Sequence, residues 1–193
     1  MSDSGPLSLV IRVAAILDEF DITYALGGSM ASSFFGEPRA TADIDVAANL
    51  DAGSGDRLVD RLQSEFYVPT ASARAAVRAQ ESFNILAVEQ GLKADLFVLG
   101  DSLLDRRQIE RRVLIVLPGS TQGLWVTSPE DQILRKLDWY CRGGSVSDRQ
   151  WRDVLGLLTV GGDALEVDYL HETAAEVGLS DLLERAVAAA SEG

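Results

Sequence analysis

The stretch Gly27-Gly28-Ser29, followed by Thr41-Ala42-Asp43-Ile44-Asp45-Val46, decides how the rest of the chain is read. Ile22 to Leu26 is a short apolar run and predicts a strand that ends at the glycine pair. Ser29 to Phe35 then predicts a short helix, stopped by Gly36 and Pro38. Asp43 to Ala48 predicts the next strand. Side chains alternate along a strand, so Asp43 and Asp45 share one face while Ile44 and Val46 point into the core.

Working outward, Lys93-Ala94-Asp95-Leu96-Phe97 supplies a third acid framed by apolar residues. Two carboxylates on one strand face repel, and keeping both ionised is costly unless a cation joins them. Oxygen-only ligands suit Mg²⁺ or Mn²⁺, which bind substrate phosphates as well. With Asp95 on a neighbouring strand, three carboxylates could hold two metals, the arrangement that clamps the attacking and leaving oxygens of a phosphoryl displacement. The glycine pair lets backbone approach a ligand, and the helix beginning at Ser29 offers free N–H groups and the positive end of its dipole to phosphate. Taken singly, each feature has a plain reading. Gly-Gly at a strand-to-helix junction is most often turn chemistry, and Asp95 alone could solubilise an edge strand. An Asp-x-Asp pair is harder to dismiss, because acids are depleted in strands.

The flanking chain predicts a mixed sheet first and helices afterwards. Leu7 to Phe20 has helical apolar spacing, Asp56 to Phe66 and Arg74 to Gln80 predict two more helices, and Ser82 to Val88 pairs with Leu92 to Leu99 across a tight turn at Glu89-Gln90-Gly91. Arg111 to Val116 and Leu124 to Thr127 read as strands around Pro118-Gly119. Arg106-Arg107 and Arg111-Arg112 read as a strand-end surface. Ser128-Pro129-Glu130-Asp131 combines an N-cap serine, a proline at the first helical position and an acid three residues after the cap, predicting a helix to about Arg142. Helices capped by Ser147 and Ser180 flank another from Val167 to Val177. The expected division is a catalytic core over 1–126 and a helical domain over 127–193 that closes the cleft.

Composition limits the function. The chain has 193 residues, 47% of them hydrophobic, which supports a real core. A net charge of −13, spread along the chain, argues against broad DNA or RNA binding, which needs a positive footprint. One cysteine and one histidine exclude an internal disulfide and multi-cysteine or histidine-rich metal chemistry. With no basic region before an apolar run and no stretch approaching the ~20 residues of a membrane span, a cytoplasmic protein is expected.

These residues resemble the DNA polymerase β-like nucleotidyltransferase superfamily. The resemblance rests on Leu26-Gly27-Gly28-Ser29, Asp43-Ile44-Asp45, and Asp95 in Ala94-Asp95-Leu96, and it covers roughly residues 22–99. A finer similarity is to small bacterial members that include abortive-infection (AbiE-type) toxins and minimal nucleotidyltransferases. Arg39-Ala40-Thr41-Ala42-Asp43-Ile44-Asp45 is similar to their Arg-x-Thr-x-Asp-Ile-Asp run, and Lys136-Leu137-Asp138 to their Lys-x-Asp motif. Arg149, Arg152 and Asp153 match a later motif in kind but not in spacing.

The resemblance implies an α+β fold, a small mixed sheet with flanking helices followed by a C-terminal helical bundle. It implies NTP as substrate with two Mg²⁺ (or Mn²⁺) ions held by Asp43, Asp45 and Asp95, and transfer of an NMP to an acceptor hydroxyl. Gly27, Gly28, Ser29, Arg39, Thr41, Lys136 and Arg149 are the expected nucleotide-binding residues. Lys136 also stands beside the apolar face of Ile133, Leu137 and Tyr140, which favours a role over a solvated helix face. The acceptor is left open between tRNA, a small molecule and a protein hydroxyl. Two other functions remain in play: a toxin–antitoxin interaction module with an antitoxin-like partner and little transferase activity, and a metal-dependent phosphohydrolase. Trp139, Tyr140 and Trp151 are expected in core or inter-helix packing, Cys141 as a buried thiol, and His171 at the surface.

Overall fold

In the computed structural model the described residues are 5–37, 41–117 and 123–192. Helix α1 (Pro6–Glu19) leads into β1 (Tyr24–Leu26), α2 (Gly28–Phe35) and β2 (Asp43–Ala48). Then come α3 (Ala52–Leu62), α4 (Thr70–Ala79), β3 (Ser82–Ala87), β4 (Leu92–Val98) and α5 (Leu103–Glu110). Strands β5 (Val113–Val116) and β6 (Gly123–Val126) precede α6 (Pro129–Arg142), α7 (Asp148–Gly161), α8 (Val167–Glu176) and α9 (Ser180–Ser191). The expected turn at Pro118-Gly119 lies outside the described residues, as does Arg39.

The strands form one mixed sheet in the order β3-β4-β2-β1-β6-β5. Strands β2 and β4 run parallel, with Asp43 opposite Lys93 and Asp45 opposite Asp95. The alternation read from the sequence holds. Ile44, Val46 and Ala48 pair in register with Ala94, Leu96 and Val98, and all six are buried against Leu9, Val13 and Leu17 of α1 and Leu58 and Leu62 of α3. Each large side chain buried there contributes about 1.5–3 kcal/mol, which makes the register expensive to slip. The opposite face of the same strands is thereby left to Asp45, Ala47, Asp95 and Phe97.

A second cluster joins Leu104 of α5 to Ile133, Leu134 and Leu137 of α6, Val154 and Leu157 of α7, and Leu170, Leu183 and Ala186 beyond. Helix α6 begins as its sequence predicts: Ser128 Oγ accepts the Asp131 N–H, with Pro129 at the first helical position.

Four expectations need correction. Ser180 is the first residue of α9 and its side chain makes no cap hydrogen bond, the N-cap being Leu179. Residues 103–110 form a helix, with Ser102 Oγ accepting the Asp105 N–H, so Arg106 and Arg107 lie on α5 and not at a strand end. Only Leu104 and Gln108 are buried on α5, too sparse a pattern to show helical period in sequence. Helix α3 starts four residues before Asp56, because Asp51 and Ser54 form a reciprocal capping box. Cys141 is exposed: the last turn of α6 projects beyond its partners, and residues 141–146 are all exposed or half-exposed. His171 is at the surface as expected.

Candidate active site

The site is built where α2 leaves the sheet. The Gly27 N–H donates to the Asp45 carbonyl at 2.8 Å, continuing the antiparallel β1–β2 pairing for one more residue. Gly28 then takes φ +62°, in the left-handed region, and opens α2. A Cβ at Gly28 would stand 1.8 Å from Asp45 Oδ2. Glycine is therefore required twice over here, once by backbone conformation and once by the carboxylate lying against its Cα.

The register places Asp45 beside Asp95 on the sheet face that looks away from the main core. Asp45 is largely enclosed, and its pKa is raised. Burial is the main cause, followed by the charges of Asp95 and Asp43, and only partly offset by Lys136 and Arg149. The two outer acids are matched by cations. Lys93 Nζ lies 2.7 Å from Asp95 Oδ2, and this hydrogen bond raises the lysine's pKa against its desolvation. Arg149 Nη2 lies 2.6 Å from Asp43 Oδ2. Accordingly, among the described residues no three acidic, histidine or cysteine side chains converge closely enough to hold a metal as they stand. The donor set itself, three hard carboxylates on adjacent strand positions, is suited to Mg²⁺ or Mn²⁺.

A polar chain ties this row to the helices. Arg149 Nη2 also donates to Ser29 Oγ at 3.1 Å, and Ser29 Oγ donates to Asp153 Oδ2 at 3.2 Å. Asp153 in turn accepts from Lys136 Nζ at 2.7 Å, in a pair that is more than nine-tenths buried on both sides. Gln132 latches α2 to α6 by accepting from Ser32 Oγ at 3.0 Å and donating to the Thr127 carbonyl at 2.7 Å. Thr41 accepts the Asp43 N–H at 3.1 Å and shapes the entry to β2.

The structure thus brings together Gly27, Gly28, Ser29, Asp43, Asp45, Asp95, Lys136 and Arg149. It places Thr41 at the margin, and Arg39 lies outside the described residues. Reasoning from sequence gave Asp153 only as part of a motif of shifted spacing and missed the roles of Lys93 and Gln132. Asp153 had a signal, since an acid on the apolar face beside Val154 and Leu157 needs a buried partner. Trp139 departs from expectation: it is 52% exposed and meets Phe97 edge-on, with centroids 6.1 Å apart at 80°. Tyr140 and Trp151 pack between helices as expected, 5.3 Å apart.

Gly27, Gly28, Asp45, Thr127, Lys136 and Gln150 line a cleft of about 180 Å³, which also takes in Ala47, Phe97, Gln108 and Trp139. No helix of the described residues is long and apolar enough to cross a membrane.

Neither a protein-family profile nor a curated protein matches the chain by sequence. Solved structures match it by fold. An antigenic nucleotidyltransferase-like protein from Paracoccidioides brasiliensis superposes with a TM-score of 0.57 at 21% identity, covering 96% of this chain and 93% of that one. The antibiotic-resistance factor ANT(2'')-Ia in solution gives 0.55 at 17% identity, covering 93% and 95%. The crystal structure of ANT(2'')-Ia in complex with adenylyl-2''-tobramycin gives 0.54 at 16% identity, covering 88% and 97%. The chain therefore has the α+β fold of the nucleotidyltransferases that its sequence resembles.

Proposed function

We propose that the protein moves a nucleoside monophosphate from an NTP to an acceptor hydroxyl, releasing pyrophosphate, in a reaction dependent on Mg²⁺ or Mn²⁺. One observation carries this reading: the Asp45–Asp95 row, the N-terminus of α2 and Lys136 meet at the same cleft.

Asp43, Asp45 and Asp95 would hold the metal ions. Their fit is supported by the strand register, which sets Asp45 beside Asp95 on the sheet face that Asp43 shares, and metal entry would displace Lys93 from Asp95 and Arg149 from Asp43. When bound, divalent ions would neutralise charge developing at the α-phosphate and acidify the attacking hydroxyl. The remaining work falls to the chain. The N-terminal N–H groups of α2, at the positive end of its dipole, and the Lys136 ammonium favour the phosphates. Arg149, half-exposed, is placed to exchange Asp43 for a phosphate oxygen. Lys136 and Arg149 come from α6 and α7, so the helical region over 127–193 closes the cleft above the core over 1–126 in this proposal. Catalysis is then mainly positioning and electrostatics.

The test uses NTPs labelled at the α- or γ-phosphorus, Mg²⁺ and a cell extract. Wild type is expected to place α-label on an acceptor, and Asp43→Asn/Asp45→Asn to abolish it. Undiminished transfer by the double variant refutes the reading. Release of γ-phosphate with no labelled acceptor would show a phosphohydrolase instead.

A further inference from the structure

The negative charge is uneven within the second half of the chain. Residues 127–153 hold as many Lys and Arg as Asp and Glu, whereas residues 154–193 hold eight acids and one cation, Arg185. Seven of the thirteen net negative charges therefore lie on α8, α9 and the turns that join them to α7. Arg185 is itself engaged, over the Trp151 ring at 5.6 Å from its centroid.

The same elements build an apolar groove of about 300 Å³ that shares no residue with the catalytic cleft. Leu158 comes from the last turn of α7, Leu165, Val167 and Leu170 from the approach to α8 and its first turn, and Leu183 and Val187 from α9. Leu165, Leu170 and Leu183 are buried, while Val167 is 51% and Val187 39% exposed. These two valines forgo part of the roughly 1.5–3 kcal/mol that full burial of such a side chain returns. An apolar groove rimmed by polar residues marks an interaction site.

The rim is acidic on every side. An exposed acid follows a groove residue directly at five places: Asp163 after Gly162, Asp168 after Val167, Glu172 after His171, Glu184 after Leu183 and Glu192 after Ser191. Among the described residues none of the five makes an ion pair; the pairs of this region are Arg111–Glu166 and Lys136–Asp153. Asp168 and Glu172 stand one turn apart on α8. Glu184 and Glu192 span about 12 Å along α9 and its C-cap at 1.5 Å per residue.

Charge selects the occupant. The rim repels an anionic lipid surface and nucleic-acid phosphates. A second copy entering through the same face would set acid against acid. Two rows of acids flanking one apolar channel match an elongated partner with cations on both sides of an apolar stripe. A helix with apolar residues at i, i+3, i+4 and i+7 and Lys or Arg beside them has that form. We propose that the groove between α8 and α9 docks a basic amphipathic helix of another protein. The inference is independent of the nucleotidyl-transfer reading.

The experiment uses the full chain and three synthetic peptides about four helical turns long. One is Leu/Lys with leucines at helical spacing. The second keeps those leucines and replaces every lysine by glutamate. The third has the Leu/Lys composition, reordered so that no helical stripe remains. The Leu/Lys peptide is expected to bind at least about tenfold more tightly than the reordered one by calorimetry, and the Leu/Glu peptide not to bind. Its binding should weaken between about 0.1 and 1 M salt, and amide signals of α8 and α9 should shift. Val167→Ser/Val187→Ser alters side chains already half in solvent, and Glu172→Gln/Glu184→Gln only exposed carboxylates, so both keep the fold. Each pair is expected to weaken binding by about tenfold, while Glu81→Gln/Glu89→Gln, at the two ends of β3, stays within about twofold of wild type. No binding of the Leu/Lys peptide overturns the inference, as does equal binding of the reordered peptide, which would show charge attraction alone. Wild-type affinity in either groove pair, or an equal loss in the β3 pair, also overturns it. A concentration-dependent dimer that Val167→Ser/Val187→Ser abolishes would assign the groove to a second copy and overturn it too.

Discussion

Gly28→Ala isolates the close approach on which the site depends. Alanine at φ +62° costs about 1–2 kcal/mol because its Cβ crowds the carbonyl in the left-handed region. The new Cβ would also lie 1.8 Å from Asp45 Oδ2 and 2.7 Å from its Cγ. Asp45 must retreat by more than about 1 Å, since carbon contacts settle near 3.5–4.0 Å. A misplacement of that size in a catalytic group reduces rates on the order of 10²-fold. Gly91→Ala is the control, because Gly91 has φ +63° and nothing within 4 Å of the added Cβ. Urea unfolding should show a loss of about 1–2 kcal/mol in Gly91→Ala and a larger one in Gly28→Ala, which adds the displacement of Asp45. Transfer of α-label from NTP should fall about 10²-fold in Gly28→Ala and stay near wild type in Gly91→Ala. Equal transfer by the two variants would show that the contact between Gly28 and Asp45 does not matter to the reaction.

Asp45→Asn should raise the stability of the metal-free protein by roughly 0.5–2 kcal/mol, because it removes a carboxylate whose ionisation is opposed by burial, Asp95 and Asp43, and should abolish Mg²⁺-dependent transfer; a lower melting temperature would contradict this. Asp153→Asn leaves the buried Lys136 ammonium without its carboxylate and should destabilise by about 3–5 kcal/mol, measured by denaturant unfolding, whereas Lys136→Met/Asp153→Leu should recover much of that loss. Asp131 tests linkage away from the acid row. Burial raises its pKa despite hydrogen bonds from Tyr169 and Ser128, so the folded state keeps a proton that the unfolded chain has already lost. Stability should therefore fall as pH rises from the ordinary aspartate value of 3.8 through the raised folded value, and Asp131→Asn should flatten that slope in unfolding measured across pH.

Much of the fold is legible locally. The two-residue alternation from Asp43 to Ala48, the caps at Ser128 and Ser147, and the turn at Gly91 each depend on a few neighbouring residues, and the structure keeps all of them. Helix α5 escaped because its buried positions are too few to print a period. Trp139 and Cys141 were misjudged for a related reason. Helical spacing says which face a residue is on, but not how far along the helix the packing partner extends.

For the site, the sequence by itself determined the ingredients: a glycine pair at a strand-to-helix junction, two acids on one strand face and a third acid in a later strand. Those are local patterns, and backbone geometry alone makes them cohere. Only the tertiary structure decided the pairings. Asp45 meets Asp95 through strand register across 50 positions, and Lys136, Asp153 and Ser29 join only when α6, α7 and α2 pack. It also left Gln108 Nε2 and Thr127 Oγ1 buried without a hydrogen-bond partner among the described residues, because hydrogen-bond satisfaction belongs to the assembled surroundings of a group and is not written in its neighbours along the chain.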